Sequence, residues 1–190
     1  VELFKGKSHF GENVTFDETL PTNYLADEVI DDNKVNELLS KKYNETIVIA
    51  EDDSEILAYL KDELSTNFRV IAVNNGYDAV KAVMDDEVSL ILSDVLMPAL
   101  NGFQLCSNIK SNIATCHIPI VLLTALSDDS QRLYGFEGGA DEYIQKPFNI
   151  EIVKLRIIKL LEERNRLREV FLKESQSVSY THLTLPTIRL

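Results

Sequence analysis

From Thr46 onward, short apolar runs alternate with stretches whose apolar residues recur every three or four positions. The runs cover 46–50, 69–73, 88–93, 118–123 and 142–144, and they are rich in β-branched residues. The periodic stretches between them cover 53–65, 76–85, 101–110 and 129–138, and a last one starts near Asn149 and reaches about residue 173. Five strands alternating with five helices predict an α/β domain, a parallel sheet with helices on both faces. Leu90-Ile91-Leu92 and Ile120-Val121-Leu122-Leu123 are apolar without alternation. A strand covered on both faces needs that pattern, because neither row of side chains meets water.

The punctuation agrees. Asp53 or Ser54 can cap the first of these helices, and Asn74-Asn75-Gly76 forms a turn before the second. Gly138-Gly139 can end the fourth in left-handed geometry. The last helix is longer than packing on a sheet requires. Val153, Ile157, Leu160, Leu167 and Phe171 fall at spacings of 4, 3, 7 and 4, with Arg164 in the missing place. Two readings stay open: one amphipathic helix with a free end, or a parallel two-chain contact along the stripe.

The ends differ from the middle. Residues 1–45 are polar and acidic without a sustained period, and Pro21 and Asp31-Asp32-Asn33-Lys34 break any long element. They read as a linker, with one short helix at 34–40. The start VELFKGKSHF lacks the apolar stretch of a signal peptide and reads as cut from something longer. The domain core is assigned to 46–148, with 149–174 as the last helix and its extension. Residues 175–190, SQSVSYTHLTLPTIRL, fit neither pattern and read as vector-derived or read-through sequence.

Composition narrows the function classes. In 190 residues there are 31 acidic and 19 basic side chains, a formal net charge of -12. Such a surface repels phosphate backbones and anionic lipids, so neither nucleic acid nor membrane is an expected partner of this fragment. It suits a cation. Cys106 and Cys116 make no disulfide framework and have no metal-type company, so both read as reduced thiols of a cytoplasmic protein. No apolar run reaches the roughly 18 residues that would span a bilayer.

In open parallel sheets, sites form beyond the carboxyl ends of the strands. Glu51-Asp52-Asp53 follow the first strand, Asp94 the third, Thr124-Ala125 the fourth and Lys146-Pro147 the fifth. Each has an ordinary reading alone: a solvated acidic loop, a cap, a turn. Together they bring carboxylates, a hydroxyl and an ammonium to one rim. Clustered carboxylates repel, and a hard divalent cation such as Mg²⁺ relieves the repulsion through oxygen ligands. A carboxylate can then attack phosphorus, with Lys146 neutralising incoming charge and Thr124 bonding a phosphoryl oxygen.

TIVIAEDDSEI, LILSDVLMPALNGF, IPIVLLTAL and GADEYIQKPF, in this order, closely resemble the receiver domain of two-component response regulators, over residues 46–148. The resemblance implies a flavodoxin-like (βα)5 doubly wound sheet with strand order 2-1-3-4-5. It implies that Asp94 accepts a phosphoryl group from a histidine kinase. Asp52, Asp94 and the main-chain carbonyl of Leu96 would bind Mg²⁺ directly, and Glu51 through water. Lys146 would hold the phosphate and Thr124 and Tyr143 would form a switch pair. Asp53 falls one place beyond the acidic pair and is not expected to be a ligand. The family also has a cis bond before the proline of its Lys-Pro, making Lys146-Pro147 the candidate here. The side chains flanking the attacking water in the family correspond to Leu96 and Leu126. Neither can orient water, so a long-lived phosphorylated form is expected.

Shorter resemblances flank this core. GKSHFGENVTF followed by LP is similar to the junction after a histidine-kinase ATP-binding domain, and RNRLREVFLKE to a connector leading to an AraC-type DNA-binding domain. They imply a receiver from a hybrid sensor kinase and regulator; a free-standing regulator is the alternative. As a fragment it is expected to be no enzyme beyond assisting its own phosphotransfer and dephosphorylation, to sit in the cytoplasm while a hybrid parent could be anchored in the inner membrane, and to regulate a transcriptional output. A homodimer through the last helix or the output face is a candidate contact. Rivals fit less well. A haloacid-dehalogenase-type enzyme needs an aspartate where Leu96 stands. A flavin module needs a phosphate loop where Glu51-Asp52-Asp53 would repel one. A docking module without turnover would not need the full acidic set.

Overall fold

The computed structural model describes residues 32–125 and 139–177. Five strands, β1 (Thr46–Ala50), β2 (Arg69–Val73), β3 (Leu90–Asp94), β4 (Ile120–Thr124) and β5 (Glu142–Gln145), alternate with helices. The helices are α1 (Asp32–Ser40) ahead of the sheet, then α2 (Ser54–Ser65), α3 (Gly76–Asp85), α4 (Gly102–Ser111) and, after β5, α5 (Ile150–Ser177). Every strand pair is parallel, in the order β2-β1-β3-β4-β5 of the flavodoxin-like fold. The helix expected at 129–138, with Gly138 and Leu126, lies outside the described residues, as do residues 1–31 and 178–190.

The unbroken apolar runs resolve into two rows. On β1, Val48 and Ala50 join the core under α3 and α4, while Ile47 and Ile49 join the core under α2 and α5. Ile91, Ile120 and Leu122 extend the first layer; Leu90, Leu92, Val121 and Leu123 extend the second. With helices on both faces, neither row meets water, so every position of β1, β3 and β4 is buried. Cys106 lies in the first core and burial pushes its thiol up to about 11, so it stays protonated at neutral pH.

The caps are specific. Asp53, rather than Ser54, caps α2, accepting from the amides of Glu55 and Ile56. Asn101 and Gln104 make a reciprocal capping box at α4. The 28 residues of α5 run about 42 Å, past the expected boundary at 174. The inner half of its stripe is already in use: Val153 and Ile157 are fully buried in the domain's own core. Arg164 donates to the Ser89 carbonyl at 2.8 Å. A second chain could therefore use only the outer part, where Leu167, Val170 and Leu172 are exposed; the Phe171 side chain lies outside the description. Among the described residues, no helix is long and apolar enough to cross a membrane.

Candidate functional site

The parallel register carries the candidate residues to one rim. Ala50 pairs with Ser93, so Glu51 leaves β1 beside the end of β3, where Asp94 pairs with Leu123 of β4. Thr124 pairs with Gln145, and Lys146 follows, its amide donating to the Thr124 carbonyl at 2.7 Å. The Lys146–Pro147 peptide bond is cis.

Carboxylate oxygens of Glu51, Asp52 and Asp94 lie within 4.8 Å of one another. Glu51 and Asp94 are buried, while Asp52 is exposed. Lys146 Nζ reaches both buried carboxylates, 2.9 Å from Glu51 and 3.0 Å from Asp94. One ammonium thus pairs with two of three clustered carboxylates, and acidic groups outnumber the basic one. Burial raises the pKa of Glu51, with the Asp94 charge adding to it; the contact with Lys146 offsets only part of this. For Lys146, burial acts downward, but hydrogen bonds and charge from Glu51 and Asp94 outweigh it, so its pKa is raised and it stays an ammonium.

Thr124 is buried at the end of β4, and Tyr143, half-buried, packs against the core under α3 and α4 from the neighbouring strand. Burial, then the proximity of Cys106, raises the Tyr143 pKa. Leu96 is 66% exposed, standing out from the loop that follows β3. Asp53 is turned to its cap and is not one of the three clustered carboxylates.

Two supporting features were missed in the sequence. Gly102 opens α4 so close to β3 that a Cβ would collide with the Asp94 carbonyl oxygen and stand 2.9 Å from Val95 Cα. Its amide donates to the Val95 carbonyl at 3.0 Å. Ser93 Oγ also donates to the Asp94 carbonyl, at 2.9 Å. The signal for the first was present in Asn101-Gly102, a cap followed by the one residue without a side chain. Between them, Ala99 adopts φ 67°, left-handed geometry that costs a non-glycine residue about 1–2 kcal/mol.

A family model described as the response regulator receiver domain matches residues 47–158, and the chain belongs to that family. It is thus a receiver domain of two-component systems. It is 39% identical over 171 residues to "Histidine kinase P4" of Formosa agariphila, covering 90% of this chain and 12% of that protein. It is 40% identical over 117 residues to "Transcriptional regulatory protein GltR" of Pseudomonas aeruginosa, covering 61% of this chain and 48% of that one. The chain therefore spans half or less of these relatives' length. The receiver domain of a signal transduction histidine kinase from Syntrophus aciditrophicus superposes with a TM-score of 0.58 at 32% identity, covering 75% of this chain and 99% of that one.

Proposed function

We propose that this receiver accepts a phosphoryl group on Asp94 from the phosphohistidine of a histidine kinase. The observation that carries the reading is Lys146 bridging Glu51 and Asp94 at a rim where three carboxylates crowd together. Hard oxygen donors with an unbalanced negative charge fit Mg²⁺. Asp52, Asp94 and the Leu96 carbonyl would hold it directly and Glu51 through water; bound there, it supplies charge that neutralises phosphoryl oxygens.

The chain's own residues do the rest. An Asp94 carboxylate oxygen attacks phosphorus, the phosphorus–nitrogen bond breaks, and its electron pair returns to the donor imidazole. Lys146 leaves its ion pair with Asp94 as the carboxylate charge is used up in the new oxygen–phosphorus bond, and pairs instead with the phosphoryl oxygens, which bring their own negative charge. Thr124 gains a new acceptor there, which favours an inward position and lets Tyr143 follow. The output surface would then comprise β5, α5 and the 129–138 segment outside the described residues.

The long alignment to a histidine kinase reaches past both ends of the family match, which favours a receiver within a hybrid sensor kinase and regulator. The similarity to a transcriptional regulatory protein favours a transcriptional output. Self-association, if the whole protein uses it, is assigned to the outer part of α5. The working unit is assigned to the receiver core with α5.

Asp94→Asn keeps the shape and removes the nucleophile. Incubation with a small phosphodonor and Mg²⁺ is expected to add one phosphoryl mass to the parent and none to the variant. Equal labelling of both would sink the assignment. Asp52→Ala should weaken Mg²⁺ binding measured by titration, and unchanged affinity would remove Asp52 from the ligand set.

A further inference from the structure

At the end of the sheet opposite Asp94, the segment ahead of β1 does not behave as a free linker. The side chain of Asn67, in the turn between α2 and β2, is 4% exposed. Its Nδ2 donates to the Leu39 carbonyl at 2.8 Å and the Lys41 carbonyl at 2.7 Å. Its own carbonyl accepts from the Tyr43 amide at 2.7 Å. The last carbonyls of a helix have no partner within it. Asn67 therefore caps the end of α1 from 28 and 26 residues away in sequence.

Apolar contacts follow the same path. The Tyr43 ring stacks on Phe68 with centroids 5.2 Å apart, and Leu38 and Tyr43 pack on the core that includes Ile157 and Leu161 of α5. Burial raises the Tyr43 pKa, helped first by Glu162 of α5 and then by Glu45 and Glu37. A nine-residue helix is too short to persist alone in water, so α1 depends on this docking.

We propose that residues 32–45 are a docked arm, clasped by Asn67 at the end of α2 and packed on α5, that fixes the entry into the domain relative to α5. This surface takes one partner, the chain's own leading segment. The proposal rests on the reading of the receiver as part of a longer chain. It gives motion ahead of the domain a route to α5 that bypasses the acceptor rim.

The test uses spin labels at exposed Asn36 on α1 and Glu163 on α5 of the full chain, with distances from pulsed dipolar spectroscopy. Asn67→Asp removes both donors and turns a carboxylate toward two carbonyls; Tyr43→Ser weakens the docking from the arm and leaves the body intact. The parent is expected to give one narrow distance, and both variants a broad distribution. Amide protection over 34–40 should fall roughly 10- to 30-fold in the variants while β1 and β3 keep theirs. A broad distribution in the parent, or a narrow one retained in Tyr43→Ser, overturns the proposal. The readout needs no phosphoryl transfer, so failure at Asp94 leaves it interpretable.

Discussion

The two ends of the sheet are built on opposite principles. At the carboxyl ends of the strands, Glu51 and Asp94 share one ammonium with Asp52 close by, and acidic groups outnumber the basic one. At the amino ends, hydrogen bonds close on one another. Asn67 binds the arm, Arg69 donates its amide to the Glu45 carbonyl, Ser89 donates to Thr46, and Arg164 returns to Ser89. An end with unbalanced charge is prepared to gain a ligand; an end whose donors and acceptors are matched is prepared to stay as it is.

The strongest way to break this contrast is at Gly102, where the rim depends on backbone proximity. Gly102→Val is expected to cost about 3 kcal/mol, because backbone rather than a flexible side chain stands in the way. Urea unfolding measures it, and an unchanged midpoint would mean that α4 can retreat without disturbing Asp94. Next comes the lifetime of the phosphorylated form. Leu96→Asn places a group able to orient water beside the acceptor, and should speed phosphoryl loss roughly 5- to 30-fold, about 1–2 kcal/mol of barrier. Decay followed by intact mass decides this; an equal rate removes Leu96 from control of the clock. The companion position, Leu126, lies outside the described residues.

The smallest effect sharpens the other end. The folded-state pKa of Tyr43 is raised, so its contribution to stability is fully present below the ordinary tyrosine value and is lost as pH rises through the raised one. Tyr43→Phe keeps the ring stack, drops the 3.3 Å hydrogen bond to the Leu38 carbonyl, and cannot ionise. Near neutral pH it should cost at most about 1 kcal/mol, and above about pH 10 the parent should lose that advantage. Paired denaturation curves at pH 7 and pH 10.5 give the sign. A parent that keeps its margin at the higher pH would mean that docking does not raise the Tyr43 pKa.

Local rules carried the reading of the sequence a long way. Strand positions came from apolar runs, helix starts from Asp53 or Ser54 and the turn Asn74-Asn75-Gly76, and the meeting of Glu51, Asp94, Thr124 and Lys146 from their place after the strands. All of these depend on period, capping or chain order, which neighbouring residues dictate. The long stripe on α5 left two readings open, because periodicity reports an apolar face without saying what covers it. Val153 and Ile157 proved to belong to the domain's own core, and Arg164 to have a partner on it.

By itself, then, the sequence determined the alternation of elements, the two buried rows of the sheet and the residue types at its carboxyl rim. Only the tertiary structure decided which carboxylates Lys146 bridges, since Glu51 lies 95 positions away. It alone decided that Gly102 must admit a backbone carbonyl, and that an asparagine in a turn would hold the segment leading into the domain. The physical reason is the same in each case. A side chain's periodicity is written in its immediate neighbours, but the partner of a buried polar group is set by what folding brings within about 3 Å of it.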